Sequence, residues 1–461
     1  MPRPASRAAR SQPASVLAAI ESFLAASRLP VLQEPGELPF PLIPGQFELS
    51  EKAGALLIAV WDEARQLHRR AVAVQEDRPG RLTLTTERFG NKTGTLVLYD
   101  DSKPASAPLR KQAERHHFRD QLRAMIRKQF PSWRLLDLSA DPDLEHSLSA
   151  NYPRALLRQG QQGVAIVGAP PGPAEPAHAL TYGLIWLDYL RRREPELQIH
   201  VLALFLPQQA LTAAALRLRH LTGATFRLFA YTHEMDLADC GNLHTQLLPA
   251  QPHRISLLHP EVDVTPAGSH RFRGLDVPQD SLAHLEDFER LRSPDTMDRL
   301  NPLYTRHPEG WLESQVRRNL STVDAMLQPS PVYGQVVSVA GVERGIADLL
   351  AIGYDGRLTV MEMKATEDIH LPLQALDYWM RIAHHAAQGD FPRCNYFPGL
   401  PVQAQPPRLL LVAPALSFHP TTETILRFFS SNLTVERIGL ALEWRQMVRV
   451  LFRLRGADRP A

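Results

Sequence analysis

Residues 343–378 read ERGIADLLAIGYDGRLTVMEMKATEDIHLPLQALDY, and this stretch decides how the C-terminal part of the chain is built. Ile346–Gly353 and Arg357–Lys364 are two alternating apolar segments separated by Tyr354-Asp355-Gly356. The pattern predicts a β-hairpin, with Gly356 where a three-residue loop needs a left-handed residue. If Gly353 faces Arg357, then Ile352 faces Leu358, Leu350 faces Val360 and Asp348 faces Glu362. Side chains alternate along a strand, so one face carries Ile352, Leu350, Leu358 and Val360 near the turn. The same face carries Asp348, Glu362 and Lys364 at the open end. The apolar part belongs to a core and the charged end to a site.

Two carboxylates on opposed strand residues, with Cα atoms about 5 Å apart, repel unless a proton or cation lies between them. A hard divalent ion, Mg²⁺ or Mn²⁺, takes carboxylate and carbonyl oxygens plus waters and suits this geometry. Such an ion polarises a phosphodiester and activates water, with Lys364 beside it to orient that water or stabilise developing negative charge. The plainer alternative is an ion pair of Lys364 with Glu362 or Asp348 at a strand end. Usage of basic residues bears on the choice. Of 51 Lys and Arg, six are Lys, and Lys364 is the one lysine beyond Lys128. A compact amine therefore stands where a guanidinium would be a poor substitute.

These residues resemble the PD-(D/E)XK, or restriction-endonuclease-like, nuclease superfamily. Asp348 on one strand and Glu362-Met363-Lys364 on the next match its core motif. Gln374 and Tyr378 on the following helix look like the QxxxY motif of RecB-type nuclease domains. The text from Pro308 to Glu313, through Gly345–Leu350 to Lys364, is also similar to the catalytic domain of NucS-type mismatch and branch endonucleases. The likeness spans residues 301–440. It implies Asp348, Glu362 and the Met363 carbonyl as metal ligands and Lys364 as catalytic lysine, with Glu313 reaching the metal through water. Glu313 could equally pair with Arg317, four residues on. Leu312, Val316, Leu320 and Val323 form the apolar stripe beside it. Gln374 and Tyr378 share a helix face after Pro372 and either meet substrate phosphate, orient Lys364, or cover the core. Ala347 stands where the family name has Pro.

A second segment looks like this one. Leu184–Leu190 (LIWLDYL) precedes an apolar strand ending Leu206-Pro207, as Leu373–Trp379 (LQALDYW) precedes one ending Ala413-Pro414. The expectation is a duplicated α/β unit whose first copy is degenerate. If Arg154–Leu157 answers Ala347–Leu350, Ala155 replaces the acid, and Val164–Ala169 ends without Glu-x-Lys.

The predicted fold class is α/β (α+β), with a C-terminal restriction-endonuclease-like mixed sheet flanked by helices. The expected layout is a disordered tail (1–15), a small β-rich domain (16–110), the degenerate copy (111–262), a linker (263–300) and the nuclease domain (301–456). Within the first of these, Val16–Ala26 reads as helix and Arg81–Thr85 and Gly94–Leu98 as partner strands. Ser102–Pro108 reads as a linker before a helix over Arg110–Phe130.

The 461 residues are 44% hydrophobic and 22% charged, with net charge +2, so nucleic-acid contact must come from local patches. No apolar run approaches a membrane span, and no secretory signal is present, so a cytoplasmic location is expected. Cys240 and Cys394 have no zinc-ligand spacing. No phosphate-binding glycine loop occurs. The function expected is metal-dependent hydrolysis of nucleic acid, with DNA as partner before RNA and a homodimer compatible with it. The competing expectation is a non-catalytic nucleic-acid-binding or assembly protein.

Overall fold

The computed structural model describes residues 12–458 except 36, 53, 64, 89–91, 172–174, 233–236, 243–270, 273–274, 277–307 and 341–342. Two compact units emerge, Met1–Pro131 with Leu138–Asp141, and Ser132–Asp137 with Pro142–Ala461. The fold is mixed α/β.

The first unit opens with helix α1 (Pro13–Ala26), three residues earlier than the periodicity predicts because Pro13 has no N–H to leave unpaired in a first turn. Strands β1 (Pro30–Gln33), β2 (Phe40–Pro41), β3 (Phe47–Lys52), β4 (Ala55–Trp61), β5 (Gln66–Arg78), β6 (Arg81–Arg88) and β7 (Lys92–Asp100) form one antiparallel sheet, in the order β2-β1-β7-β6-β5-β4-β3. The expected partnership holds, with Leu82 opposite Leu98 and Leu84 opposite Leu96. Those four leucines share a core with Val16, Ile20 and Phe23 of α1. Ser102–Pro108 is not a linker. It holds a 3-10 turn, Pro104–Ser106, that runs straight into helix α2 (Ala107–Gln129).

The second unit holds two six-stranded mixed sheets. One is ordered β13-β12-β11-β10-β9-β8 and contains β8 (Arg134–Ser139, of which Arg134–Asp137 belong to this unit), β9 (Arg154–Gln159), β10 (Gln162–Gly168), β11 (Gln198–Pro207), β12 (Thr225–Tyr231) and β13 (Leu237–Asn242). Helix α3 (Ala179–Arg193) links β10 to β11, and α4 (Leu211–Leu218) links β11 to β12. A short hairpin of β14 (Arg271–Phe272) and β15 (Leu275–Asp276) follows; the rest of the expected linker, and residues 1–11 of the expected tail, lie outside the described residues.

The other sheet is ordered β16-β17-β18-β19-β20-β21. It follows α5 (Pro308–Arg318) and α6 (Leu320–Val323) and contains β16 (Tyr333–Ala340), β17 (Glu343–Ile352), β18 (Leu358–Met363), β19 (Arg408–Pro414), β20 (Val435–Leu440) and β21 (Val450–Arg455). Helices α7 (Leu371–Gln388) and α8 (Asp390–Arg393) lie between β18 and β19, and α9 (Thr422–Leu426) between β19 and β20. Pairing senses match in the two sheets. The β9–β10 and β17–β18 pairs are antiparallel, the next two pairs in each are parallel, and the β12–β13 and β20–β21 pairs are antiparallel.

The two faces of the second sheet bury different cores. Leu350, Ile352, Leu358 and Val360 join the cluster under α7, while Leu349, Ala351, Met361 and Met363 join Leu312, Val316, Leu320 and Val323. The predicted stripe is thus buried as expected but broken between Arg318 and Leu320 into two helices. Among the described residues no helix is long and apolar enough to cross a membrane.

Candidate active site

The hairpin turn sets the register on which the site depends. Gly353 N–H donates to the Arg357 carbonyl at 2.8 Å, Arg357 N–H donates to Asp355 Oδ1 at 3.0 Å, and Gly356 takes φ +82°. Ile352 is then opposite Leu358, Leu350 opposite Val360 and Leu349 opposite Met361, as the sequence predicts. Beyond that pair the ladder changes character. Met363 N–H is given to Asp348 Oδ2 at 2.8 Å, so the first acid is held by main chain at the end of the second strand. Lys364 N–H donates to the Val412 carbonyl at 3.1 Å, which continues the β18–β19 pairing and fixes where the lysine leaves the sheet.

Glu362 is 1% exposed, and its Oε2 has no hydrogen-bond partner. Burial pushes its carboxyl well above the usual range, and the negative charge of Asp348 pushes it further. Asp348 rises to about 7, chiefly through burial; the Met363 N–H opposes the rise and the Glu313 charge adds to it. Burial works against the charge of Lys364, but Glu362, Glu309, Asp368 and Asp348 outweigh it and raise its affinity for a proton. Its Nζ lies 3.7 Å from Asp368, 3.8 Å from Glu309 and 3.9 Å from Glu362. The expected ion pair with Glu362 therefore exists, but as one edge of a shared cluster.

The remaining predicted residues surround this centre. Glu313 is 3% exposed and pairs with Arg317, so the alternative partner is the one it makes, while its charge still acts on Asp348. Gln374 Nε2 donates to the Tyr378 hydroxyl at 3.2 Å. Burial, followed by the Glu362 charge, pushes the Tyr378 phenol above its ordinary range, which keeps it protonated and puts it within electrostatic reach of the acids. Met363 ends β18 with its side chain in the core. Glu309 and Asp368 were missed by sequence reasoning. Glu309 stands one helical turn before Glu313, a spacing that could have found it. Asp368 sits in the loop before α7, where no periodicity operates, and its Oδ1 accepts the His370 N–H at 2.8 Å.

A buried carboxylate with an unpartnered oxygen thus stands beside a second acid of raised proton affinity, with the Lys364 ammonium 3.9 Å away. Among the described residues no group of three or more His, Cys, Asp or Glu closes around a metal position. The unpartnered Glu362 Oε2 and the Asp348 carboxylate are oxygen donors of the kind a hard divalent ion takes.

The matching positions of the first sheet carry none of this chemistry. Pairing sets Val167 opposite Arg154 and beside Leu204, as Glu362 stands beside Leu411. Ala169 N–H donates to the Phe205 carbonyl at 2.9 Å, as Lys364 does to Val412. Arg154, Val167 and Ala169 therefore occupy the places of Asp348, Glu362 and Lys364. This corrects the expected match of Ala155 with Asp348 by one residue. Arg154 is 6% exposed, with its guanidinium 5.5 Å from the Trp186 ring centre, so a fixed cation stands where the acid would be.

No family model and no curated protein matches the chain. Among solved structures, the apo form of EndoMS aligns with 42% of this chain and 88% of its own at 12% identity, with a TM-score of 0.14. So low a score carries no argument about fold or function.

Proposed function

We propose that the chain is a metal-dependent nuclease that hydrolyses phosphodiester bonds, with DNA as its substrate. The observation that carries the reading is the buried, half-unpartnered Glu362 carboxylate beside Asp348 and Lys364. Asp348, Glu362 and the Met363 carbonyl would hold Mg²⁺ or Mn²⁺, which when bound supplies Lewis acidity to the phosphate and lowers the pKa of water. Lys364 keeps its proton and neutralises charge that develops on the phosphate oxygens. Tyr378 and Gln374 hold each other by their hydrogen bond and stand ready to donate to a phosphate oxygen. In the overall change, a bond forms from water oxygen to phosphorus and the bond to the leaving sugar oxygen breaks. The proton lost by water returns to that leaving oxygen through solvent.

The test is cleavage of single-stranded, duplex and mismatched DNA, and of RNA, with Mg²⁺, with Mn²⁺ and with chelator. The wild type should cut only with metal, and Asp348→Ala should lose at least about 100-fold in rate, the scale on which removal of one catalytic group acts. Equal rates for the two proteins, or no cleavage of any substrate, would overturn the proposal.

A further inference from the structure

The two halves of the second unit touch through the helices that follow their central hairpins and through the segments that lead into β12 and β20. His178 immediately precedes α3 and His370 immediately precedes α7, and their rings stack with centres 3.5 Å apart and planes 11° apart. Arg217 of α4 donates through Nε to Asp377 of α7 at 2.8 Å. Arg427, just past α9, lies 3.8 Å from Asp188 of α3. Asp188 and Asp377 are the acids of the two Leu-Asp-Tyr triplets. Leu221 and Phe429, in the segments leading into β12 and β20, form an antiparallel bridge. Around that bridge Thr222 N–H donates to the Phe428 carbonyl, and Ser430 N–H to the His220 carbonyl. Exchanging the halves maps the bridge and its two flanking hydrogen bonds onto themselves, and the aspartate of each Leu-Asp-Tyr triplet meets an arginine of the other half. That is the isologous pattern by which two identical subunits associate, here made within one chain.

The strands of a duplex are themselves related by two-fold axes perpendicular to its length. A two-fold nuclease with two sites thus meets one phosphodiester on each strand, while this molecule has carboxylates in one half and Arg154, Val167 and Ala169 in the other. From the nuclease reading, on which this rests, we infer that the chain works as a monomer that cuts one strand of duplex DNA, its first half serving as a fixed non-cutting partner. That half also borders the site. Asp143, Ser149 and Tyr182 line an open cleft of about 600 Å³ together with Glu367, Asp368 and His419, and Asp368 is the residue 3.7 Å from Lys364.

Closed circular duplex DNA incubated with the full-length protein and Mg²⁺ separates the alternatives. The expected product is open circle, formed at a rate first-order in protein and absent with Lys364→Ala, while light scattering gives the mass of one chain. Linear product formed without an open-circle intermediate overturns the inference and leaves the nuclease reading intact. So does cleavage of single strands with duplex untouched. No cleavage at all overturns both. The triple variant Arg154→Asp, Val167→Glu, Ala169→Lys is expected to turn the product from open circle to linear where it folds, and the wild-type product decides the matter where it does not.

Discussion

Asp348 and Glu362 bind protons more tightly in the folded chain than as free carboxyls, and the sign of that shift has a consequence for stability. A raised carboxyl leaves stability intact below the unfolded pKa and removes it as pH rises toward the folded value. Between about pH 4 and about pH 7, the metal-free protein is therefore expected to lose stability through Asp348, the reverse of the usual behaviour of paired carboxylates. Thermal unfolding in chelator should show a lower midpoint at pH 8 than at pH 5, with Glu362→Gln reducing the loss. Saturating Mg²⁺ should restore the midpoint in wild type but not in Glu362→Gln, since about 2.7 kcal/mol accrues at a hundredfold excess over Kd. Midpoints that do not respond to pH or metal would contradict this account of the two acids. Lys364 gives a second prediction. Lys364→Arg keeps the charge but widens and flattens the cation inside a cluster with edges of 3.7–3.9 Å, so cleavage should fall by at least about tenfold with the fold unchanged. A rate equal to wild type would show that position and charge alone suffice.

At the scale of the element, the hairpin from β17 to β18 carries the register. Gly356 sits at φ +82°, and a Cβ there would lie 2.3 Å from the Pro401 carbonyl oxygen. Gly356→Ala is expected to cost at least about 1 kcal/mol, from left-handed strain and displacement of that backbone, read as a lower denaturant midpoint. An unchanged midpoint would mean that the turn does not fix the register. This element was legible because alternation and the turn glycine agree on one pairing, and that pairing brings Asp348, Glu362 and Lys364 to one end. The break between Arg318 and Leu320 was not, because Leu312, Val316, Leu320 and Val323 keep helical spacing across two helices that meet at Asn319. Nor was Asp368, whose place comes from a loop conformation. Glu313 was legible as a near-buried acid, while its pairing with Arg317 depends on Gly334. A Cβ on that glycine would lie within 2.7 Å of both Glu313 Oε1 and an Arg317 nitrogen.

Over the whole molecule, the repeated Leu-Asp-Tyr helix and the strand that follows it disclosed that two segments are alike. Their sequences could not say that the two aspartates would each meet an arginine of the other half, because Arg217 and Arg427 lie on and just past other helices of the chain. The one-residue error at Arg154 has a related cause: with no turn glycine aligned between the copies, only the observed pairing fixes which residue faces Val167. Asp377→Ala removes the acceptor of Arg217, which is 8% exposed. The loss should be about 1–2 kcal/mol, below the scale of a fully buried pair because Arg217 keeps the Ala177 carbonyl at 2.8 Å, and should appear in the unfolding transition of the second unit. A change below about 0.5 kcal/mol would mean that this contact does not help hold the halves together.

The most direct test is the single-turnover rate of DNA cleavage by Lys364→Ala at a Mn²⁺ concentration that saturates both it and the wild type. The account predicts a rate lower by at least about 100-fold although Asp348 and Glu362 are intact. Cleavage at the wild-type rate would contradict it.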